Sequence, residues 1–407
     1  MSAASPTSTT PATGHPPSDY AALLAKAAQI RGISLWRDAW RRLRKNIAAM
    51  ISLGLLITLA LFSFLTPLLP LQSPRFQTLD KAHQFQSPRF TPARLDLDPA
   101  ALRQFDEQTA NLRRQIAGAS GDERLQLRAE LAAHLRGHPF NRLWTTPGPV
   151  ASAMLRLRLA VFGNWCVPSI CGTDELGRDV LARLFWGSRV SLIVGLVATL
   201  VSLVIGVSYG AIAGYVGGWL DSLMMRIVDV IYSIPFIFIV IFLISVLNQE
   251  PLKSRLAGLG ISQITIFYVV IGAIYWLTMA RVVRGQIISL KHEQFVDAAR
   301  TIGAGTGRII FRHLVPNVLG IVIVYLTLTI PSVMLFEAFL SFLGMGVQPP
   351  DVSWGLLVNE GIRVITPIQT YWWLVLFPGL TLALTLFALN FLGDGLRDAL
   401  DPRMKNR

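Results

Sequence analysis

Six stretches of this chain, residues 46–66, 191–213, 227–247, 261–279, 317–339 and 371–392, are almost unbroken hydrocarbon. Each has the length of about 20 residues that a helix needs to cross the apolar part of a bilayer, where every backbone N–H and C=O must find its partner within the segment. No stretch alternates in the manner of a membrane strand, and Gly206, Pro235, Pro331 and Pro378 inside the spans are tolerated in membrane helices. Composition agrees, because 407 residues that are 52% hydrophobic and 15% charged are too apolar for an ordinary soluble enzyme. The fold class expected is an all-α membrane protein with six transmembrane helices.

The net charge of +13 does not point to nucleic acid, since the basic residues flank membrane segments and no aromatic-rich nucleic-acid motif accompanies them. Lys26, Arg31, Arg37, Arg41, Arg42, Arg44 and Lys45 precede the first span and put the N-terminus in the cytoplasm by the positive-inside rule. Six crossings return Arg397, Arg403, Lys405 and Arg407 to the same side, and the short basic loop between spans four and five falls there too. The arginine-rich segment 67–188 is then external, as long loops translocate largely regardless of charge.

Residues 1–17 are Ser, Thr, Pro and Ala without periodicity, lack the apolar core of a signal peptide, and read as a disordered tail. Residues 18–45 mix apolar and basic groups as an interfacial helix does, with Trp36 and Trp40 one turn apart. Residues 67–188 are too long for a passive connection. In it, Asp98 as cap, Pro99 at the first helical position, and the stripe Leu102, Phe105, Thr109, Leu112 and Ile116 predict a helix stopping at Gly118. Leu127, Leu131 and Leu135 predict a second, completing a helical hairpin. The pentapeptide Gln-Ser-Pro-Arg-Phe occurs at Gln72 and again at Gln86, and reads as a local duplication, a lid or a docking surface. The two cysteines, Cys166 and Cys171, fall in the same external segment. A disulfide is expected there, with Pro168 favouring a bend between them; two free thiols are the alternative.

No segment offers an activated nucleophile or a metal-ligand cluster. Residues 303–308, Gly-Ala-Gly-Thr-Gly-Arg, lack both the preceding strand and the Gly-Lys-Ser/Thr of a phosphate loop, so no ATP hydrolysis is expected of this chain. They sit within residues 293–317, a charged, glycine-broken stretch that reads as two short helices around a glycine turn. Phe295, Ala299 and Ile302 share a face of the first, and small residues at 298 and 299 let another backbone approach. The second starts at Thr306 and is expected to end at Pro316. Asp174, Glu175, Arg178 and Asp179 alternate in sign before the second span and are expected to form an ion-pair cluster, with contact to substrate or a binding protein the alternative.

The run Asp297, Ala298, Ala299, then Gly303 and the closing Pro316, resembles the EAA loop, the cytoplasmic coupling segment of permease subunits in binding-protein-dependent ABC importers, with Asp297 where Glu is usual. Residues 171–192, 340–355 and 393–403, with the lead-in at 34–46, narrow the resemblance to the C-type permease of the oligopeptide/dipeptide class. It implies an ABC importer type I permease fold with a large extracytoplasmic insertion between helices 1 and 2, a core over 189–392 and a cytoplasmic tail over 393–407. It further implies a multi-pass protein of the bacterial inner membrane, no cofactor in this chain, and ATP and Mg bound by partner subunits. The partners implied are a second, B-type permease, two ATPase subunits, an extracytoplasmic peptide-binding protein and a peptide substrate. A coupling loop over 285–316 would act through Glu293, Asp297, Ala298, Ala299, Gly303 and Pro316.

Tyr209, Asn248, Tyr325, Thr327, Thr329 and Glu337 are polar groups in or beside the spans, explained by packing or by lining the path. Cargo stays open: nickel, an antibiotic peptide or a glycoside are alternatives to peptide. A secondary transporter or channel would carry midplane charges or inverted repeats, and a receptor or scaffold would work through the external insertion.

Overall fold

The computed structural model describes residues 35–400 except 76, 78, 79, 96, 145–147, 248, 260–262 and 350. The expected tail at 1–17, most of the lead-in and Asn248 lie outside these residues. Helix α1 (Leu35–Lys45) is the basic lead-in. Asn46 separates it from the first span, α2 (Ile47–Leu65), by leaving helical geometry and accepting the Ala49 N–H on its side chain at 3.1 Å.

The segment after α2 builds the predicted hairpin, α3 (Pro99–Gly118) and α4 (Gly121–Arg136). Asp98 caps α3 by accepting the Ala100 N–H at 2.8 Å, and Pro99 occupies the first turn, where its missing N–H costs nothing. Short α5 (Phe140–Leu143), α6 (Pro149–Phe162) and an antiparallel pair, β1 (Ala93–Arg94) with β2 (Trp165–Cys166), complete the insertion. Its core joins Leu95, Leu97, Phe140, Trp144, Leu155 and Cys166. A fully buried Arg158 ties this core to the chain leaving α2, donating to Leu69 O at 2.9 Å, Leu71 O at 3.1 Å and Cys166 Sγ at 3.1 Å.

Helix α7 (Val180–Val216) is the second span and continues well beyond the bilayer. Gly206, Gly210 and Gly214 recur every fourth residue, and α11 (Gln263–Leu290) lies directly on them: a Cβ at Gly214 would stand 2.8 Å from Arg284 O, and one at Gly206 2.8 Å from Trp276 O. This small-residue stripe lets the second and fourth spans pack backbone to backbone.

The third span departs from expectation. Instead of one helix over 227–247, α8 (Gly218–Ser233) and α9 (Phe236–Leu247) meet at 86°. Pro235 has no N–H to continue the ladder, and it holds Ile234 extended at φ −90°, ψ 128°. After α10 (Leu252–Gly258) and α11 comes α12 (Gln294–Thr301). A continuous helix then runs from Thr306 to Phe342: α13 (Thr306–Arg308), a π-helical turn over Ile309–Leu314, and α14 (Val315–Phe342). Short α15 (Trp354–Arg363) leads to the last span, α16 (Trp373–Leu400), whose helix takes in residues 393–400 that were expected to begin a tail. The described residues thus hold five helices long and apolar enough to cross a membrane, six spans when the bent pair counts as one.

Candidate functional site

Two polar assemblies stand at opposite ends of α7. At its N-terminal end the loop 172–179 turns back on itself. Asp174 Oδ1 accepts the backbone N–H groups of Leu176 and Arg178, both at 2.9 Å, which frees Oδ2 for Arg178 Nε at 2.7 Å and Arg183 Nη1 at 2.6 Å. Arg183 also donates to Glu360 of α15, through Nη1 at 2.5 Å and Nη2 at 3.2 Å, and Arg178 Nη2 stands 3.5 Å from the same carboxylate. Asp174, Arg178, Arg183 and Glu360 therefore form a neutral tetrad that fastens α15, between the last two spans, to the start of the second.

Two of the residues expected in that cluster are not in it. Glu175 is exposed and makes no ion pair among the described residues. Asp179 caps α7, accepting the Ala182 N–H on Oδ2 at 2.8 Å, and burial, with the nearby Asp174, pushes its carboxyl up to about 7 against that hydrogen bond, the Ser169 hydroxyl and the pull of Arg89. Arg183 and Glu360 were missed. The signal available was Arg183 itself, a guanidinium among the apolar residues that open α7, since a charge buried there needs a partner.

The expected disulfide is absent: Cys166 and Cys171 are free thiols. They are buried in different places, Cys166 in the insertion core beside Arg158, and Cys171 among Val180, Trp354 and Trp373 of the permease body. Burial pushes the Cys171 thiol up to about 12 and raises that of Cys166 as well, so neither is a ready thiolate.

At the other end of α7, helix α12 lies across the span ends. Val296 and Ala299 insert among Val207 and Ala211 of α7, Val283 and Ile287 of α11, and Ile309, Ile310 and Leu314 of the π turn. Ala299 is 4% exposed, so it faces this chain's own core and does not offer a surface to another protein. Ile302, expected on the same face, points outward at 84% exposure, with Asp297, Ala298 and Glu293 exposed as well. Asp297 Oδ1 accepts from Arg300 Nη1 at 3.2 Å, and Arg300 lies over the Tyr215 ring.

Gly303 ends α12 at φ +80°, where a side chain is strained, and nothing crowds the place a Cβ would take. The reason for glycine is conformational: Gly303 N donates to Arg300 O at 2.9 Å and Ala304 N to Ala299 O at 3.0 Å, the paired bonds of a Schellman close. Gly305, not Thr306, is the N-cap of the next helix. Pro316 does not end that helix. The π turn before it widens the hydrogen-bond spacing, with Val315 N donating to Ile310 O five residues back, and the proline then falls in the first turn of α14, where it needs no donor.

Of the polar groups in the spans, most are committed to packing. Tyr209 Oη donates to Met224 O at 2.8 Å, while Thr327 and Thr329 bond within their own helix. Glu337, 1% exposed, accepts from Ser341 Oγ at 2.8 Å and Ser191 Oγ at 3.5 Å, in a network that reaches Ser353 at the head of α15. Tyr325 is exposed on α14.

With this geometry in hand, comparison with known proteins assigns the class. Residues 206–406 match the family of binding-protein-dependent transport system inner membrane components, and residues 34–88 match the N-terminal TM domain of oligopeptide transport permease C. The oligopeptide transport system permease protein OppC of Escherichia coli K12 is 39% identical over 375 residues, 92% of this chain and 93% of the relative. The dipeptide transport system permease protein DppC of Bacillus subtilis 168 is 46% identical over 234 residues, 58% of this chain and 68% of the relative. A solved structure of the MetNI methionine ABC transporter, facing inward, aligns with a TM-score of 0.41 at 19% identity, over 54% of this chain and 96% of the other. The chain belongs to the binding-protein-dependent ABC importer permeases, in their oligopeptide/dipeptide C-type group.

Proposed function

We propose that this chain forms half of the translocation path of an ATP-driven peptide importer and receives the force of ATP hydrolysis through α12. The observation that carries this reading is the two-faced build of α12. One face, Val296 and Ala299, is locked into the ends of α7, α11 and the helix that becomes α14, while the other leaves Ile302 almost bare beside Asp297 and Ala298. A push on the free face is transmitted to three spans at once. Peptide as the cargo follows from the names of the relatives, OppC and DppC. The further partners are a second permease of the B type, two ATPase subunits that bind ATP and Mg, and an external peptide-binding protein. Both termini lie in the cytoplasm of a bacterial inner membrane, on the strength of the basic residues of α1.

The test is reconstitution of this chain with the permease, ATPase and binding-protein subunits encoded beside it. Ile302→Asp is expected to weaken association with the ATPase subunits about tenfold or more, by placing a charge on an apolar contact. The spans stay packed, because nothing in the core touches that side chain. Peptide uptake and stimulated ATP hydrolysis fall together. Wild-type coupling in Ile302→Asp would remove α12 as the receiving element.

A further inference from the structure

The break in the third span lies at membrane depth and is open. Tyr232, just before it, meets Thr278, which stands about halfway along α11, so the bend falls near the middle of the bilayer. Ile234 and Pro235 are exposed there, and where the two helices meet at 86° the last carbonyl groups of α8 and the first N–H groups of α9 have no partner within their own helix. Hydrocarbon cannot satisfy such groups, so irregular backbone at this depth must be covered by protein or face water. The side chains agree. Arg281 donates to Asp229 at 2.8 Å with both groups exposed, and an exposed ion pair within spans belongs on a wet face.

Beside the break opens a cavity of about 380 Å³, within the range of sites that hold small ligands. Its floor is Ile274 and Leu277, both buried; half-buried Phe236, Ile239 and Tyr275 line it, and exposed Tyr232 and Thr278 stand at its edge. Three spans hold this lining in place. Tyr232 Oη and Thr278 Oγ1 share a hydrogen bond of 2.6 Å, and the Arg281 guanidinium lies 4.2 Å from the centre of the Tyr232 ring. Tyr275 Oη donates to Ser332 O of α14 at 3.1 Å, and the Phe236 ring meets the Tyr275 ring edge to face. Fixed apolar and aromatic surfaces suit an apolar or aromatic side chain, and the hydroxyl pair at the edge suits the polar backbone that carries it. A second membrane helix fits less well. Helices in bilayers associate through small residues, as α7 and α11 do at Gly206, Gly210 and Gly214, whereas this edge presents Tyr232, Ile234, Pro235 and Ile239.

We propose that this notch in the bend of the third span is a specificity subsite on the translocation path, receiving one apolar or aromatic side chain of the peptide in transit. Ile239 sets its depth and Tyr232 stands at its mouth. The peptide as occupant rests on the importer reading; the wet, aromatic character of the notch does not.

The experiment is uptake of trialanine, Ala-Phe-Ala and Ala-Trp-Ala by the full complex in proteoliposomes, with its binding protein unaltered. Each variant is compared with wild type for the same peptide, which cancels the preference of the binding protein. Ile239→Trp, which fills the notch, should lower uptake of Ala-Phe-Ala relative to trialanine about tenfold or more, the scale on which an apolar pocket discriminates. Ile239→Ala, which deepens the notch, should raise uptake of Ala-Trp-Ala relative to Ala-Phe-Ala, and it carries the test where the larger variant does not assemble. Variants that move all three peptides alike, or none of them, overturn the site and spare the importer reading. No uptake of any peptide by the wild-type complex overturns the importer reading, and this site with it. A second measurement asks what covers the notch. Ile234→Cys, at the exposed break, should react in the assembled complex with an impermeant maleimide supplied to both faces; a thiol that stays unreactive there is covered by lipid or by the second permease, and the proposal falls.

Discussion

Arg183 sits one turn inside a membrane-spanning helix at 2% exposure, and it is tolerated there because two carboxylates meet it. An ion pair taken out of water gains little over a well-packed apolar group, but removing one partner strands the other, at a cost of about 3–5 kcal/mol. Arg183→Met should therefore lower the thermal midpoint of the purified chain markedly and loosen α15. Arg178→Met should do less, since its link to Glu360 is 3.5 Å long and its other partner keeps Arg183. Equal melting of Arg183→Met and wild type would show that the tetrad contributes nothing to holding α15. Half of this cluster was legible in sequence: Asp174 and Arg178 lie four residues apart in one loop. Glu360 was not, being 177 residues from Arg183, and no local pattern encodes that meeting. The cysteines teach the converse, for five residues of separation permitted a disulfide, yet Cys166 turns to Arg158 and Cys171 to Trp373.

For the elements, hydrocarbon length found the spans, capping residues found α3, and glycine found the turn after α12, because each rests on short-range chemistry. What failed were choices between faces and between helix and break. Phe295, Ala299 and Ile302 share a helical face, but so do Val296 and Ala299, and the structure buries the latter pair because Ala211, Ile287 and Ile310 stand beneath them. Likewise Pro235, tolerated in a straight span, instead bends the chain by 86° because Ile234 before it is extended. The burial of Ala299 changes what its enlargement does. Ala299→Trp overfills the seat of α12 and should detach it, seen as faster hydrogen exchange over residues 293–305. Ala298→Trp, on the exposed face, should leave exchange unchanged and reduce coupling to the ATPase subunits. Gly303→Val, forcing a β-branched residue to φ +80°, should cost about 1–2 kcal/mol and fray the turn. Identical exchange in Ala299→Trp and Ala298→Trp would contradict the two-faced build.

For the molecule as a whole, the ends of the described chain decide whether the bent pair α8–α9 crosses the membrane. Ala39 and Leu43 of α1 and Ala49 of α2 pack with Ala399 at the close of α16, so the helix entering the first span and the helix leaving the last meet on one face. An even number of crossings is required for that. Five long spans alone would put those ends on opposite faces; with α8–α9 as a sixth they agree. The same parity governs Glu130 on α4 and Ala298 on α12, both exposed, with α7, the bent pair and α11 between them. Three crossings set them on opposite sides, two on the same side. Cysteines introduced singly as Glu130→Cys and Ala298→Cys should then react with an impermeant maleimide from opposite faces: Glu130→Cys in right-side-out vesicles, Ala298→Cys in inverted ones. Background from Cys166 and Cys171 should be low, because both are buried with thiols held above their ordinary range. Labelling of both positions from one face would make α8–α9 a re-entrant element that returns to its own side, and would break the even count that the contact of α1 with α16 demands. Labelling from opposite faces but in the reverse sense would keep the fold and invert the protein in its membrane, leaving α12 on the side away from any ATPase and ending its role in coupling.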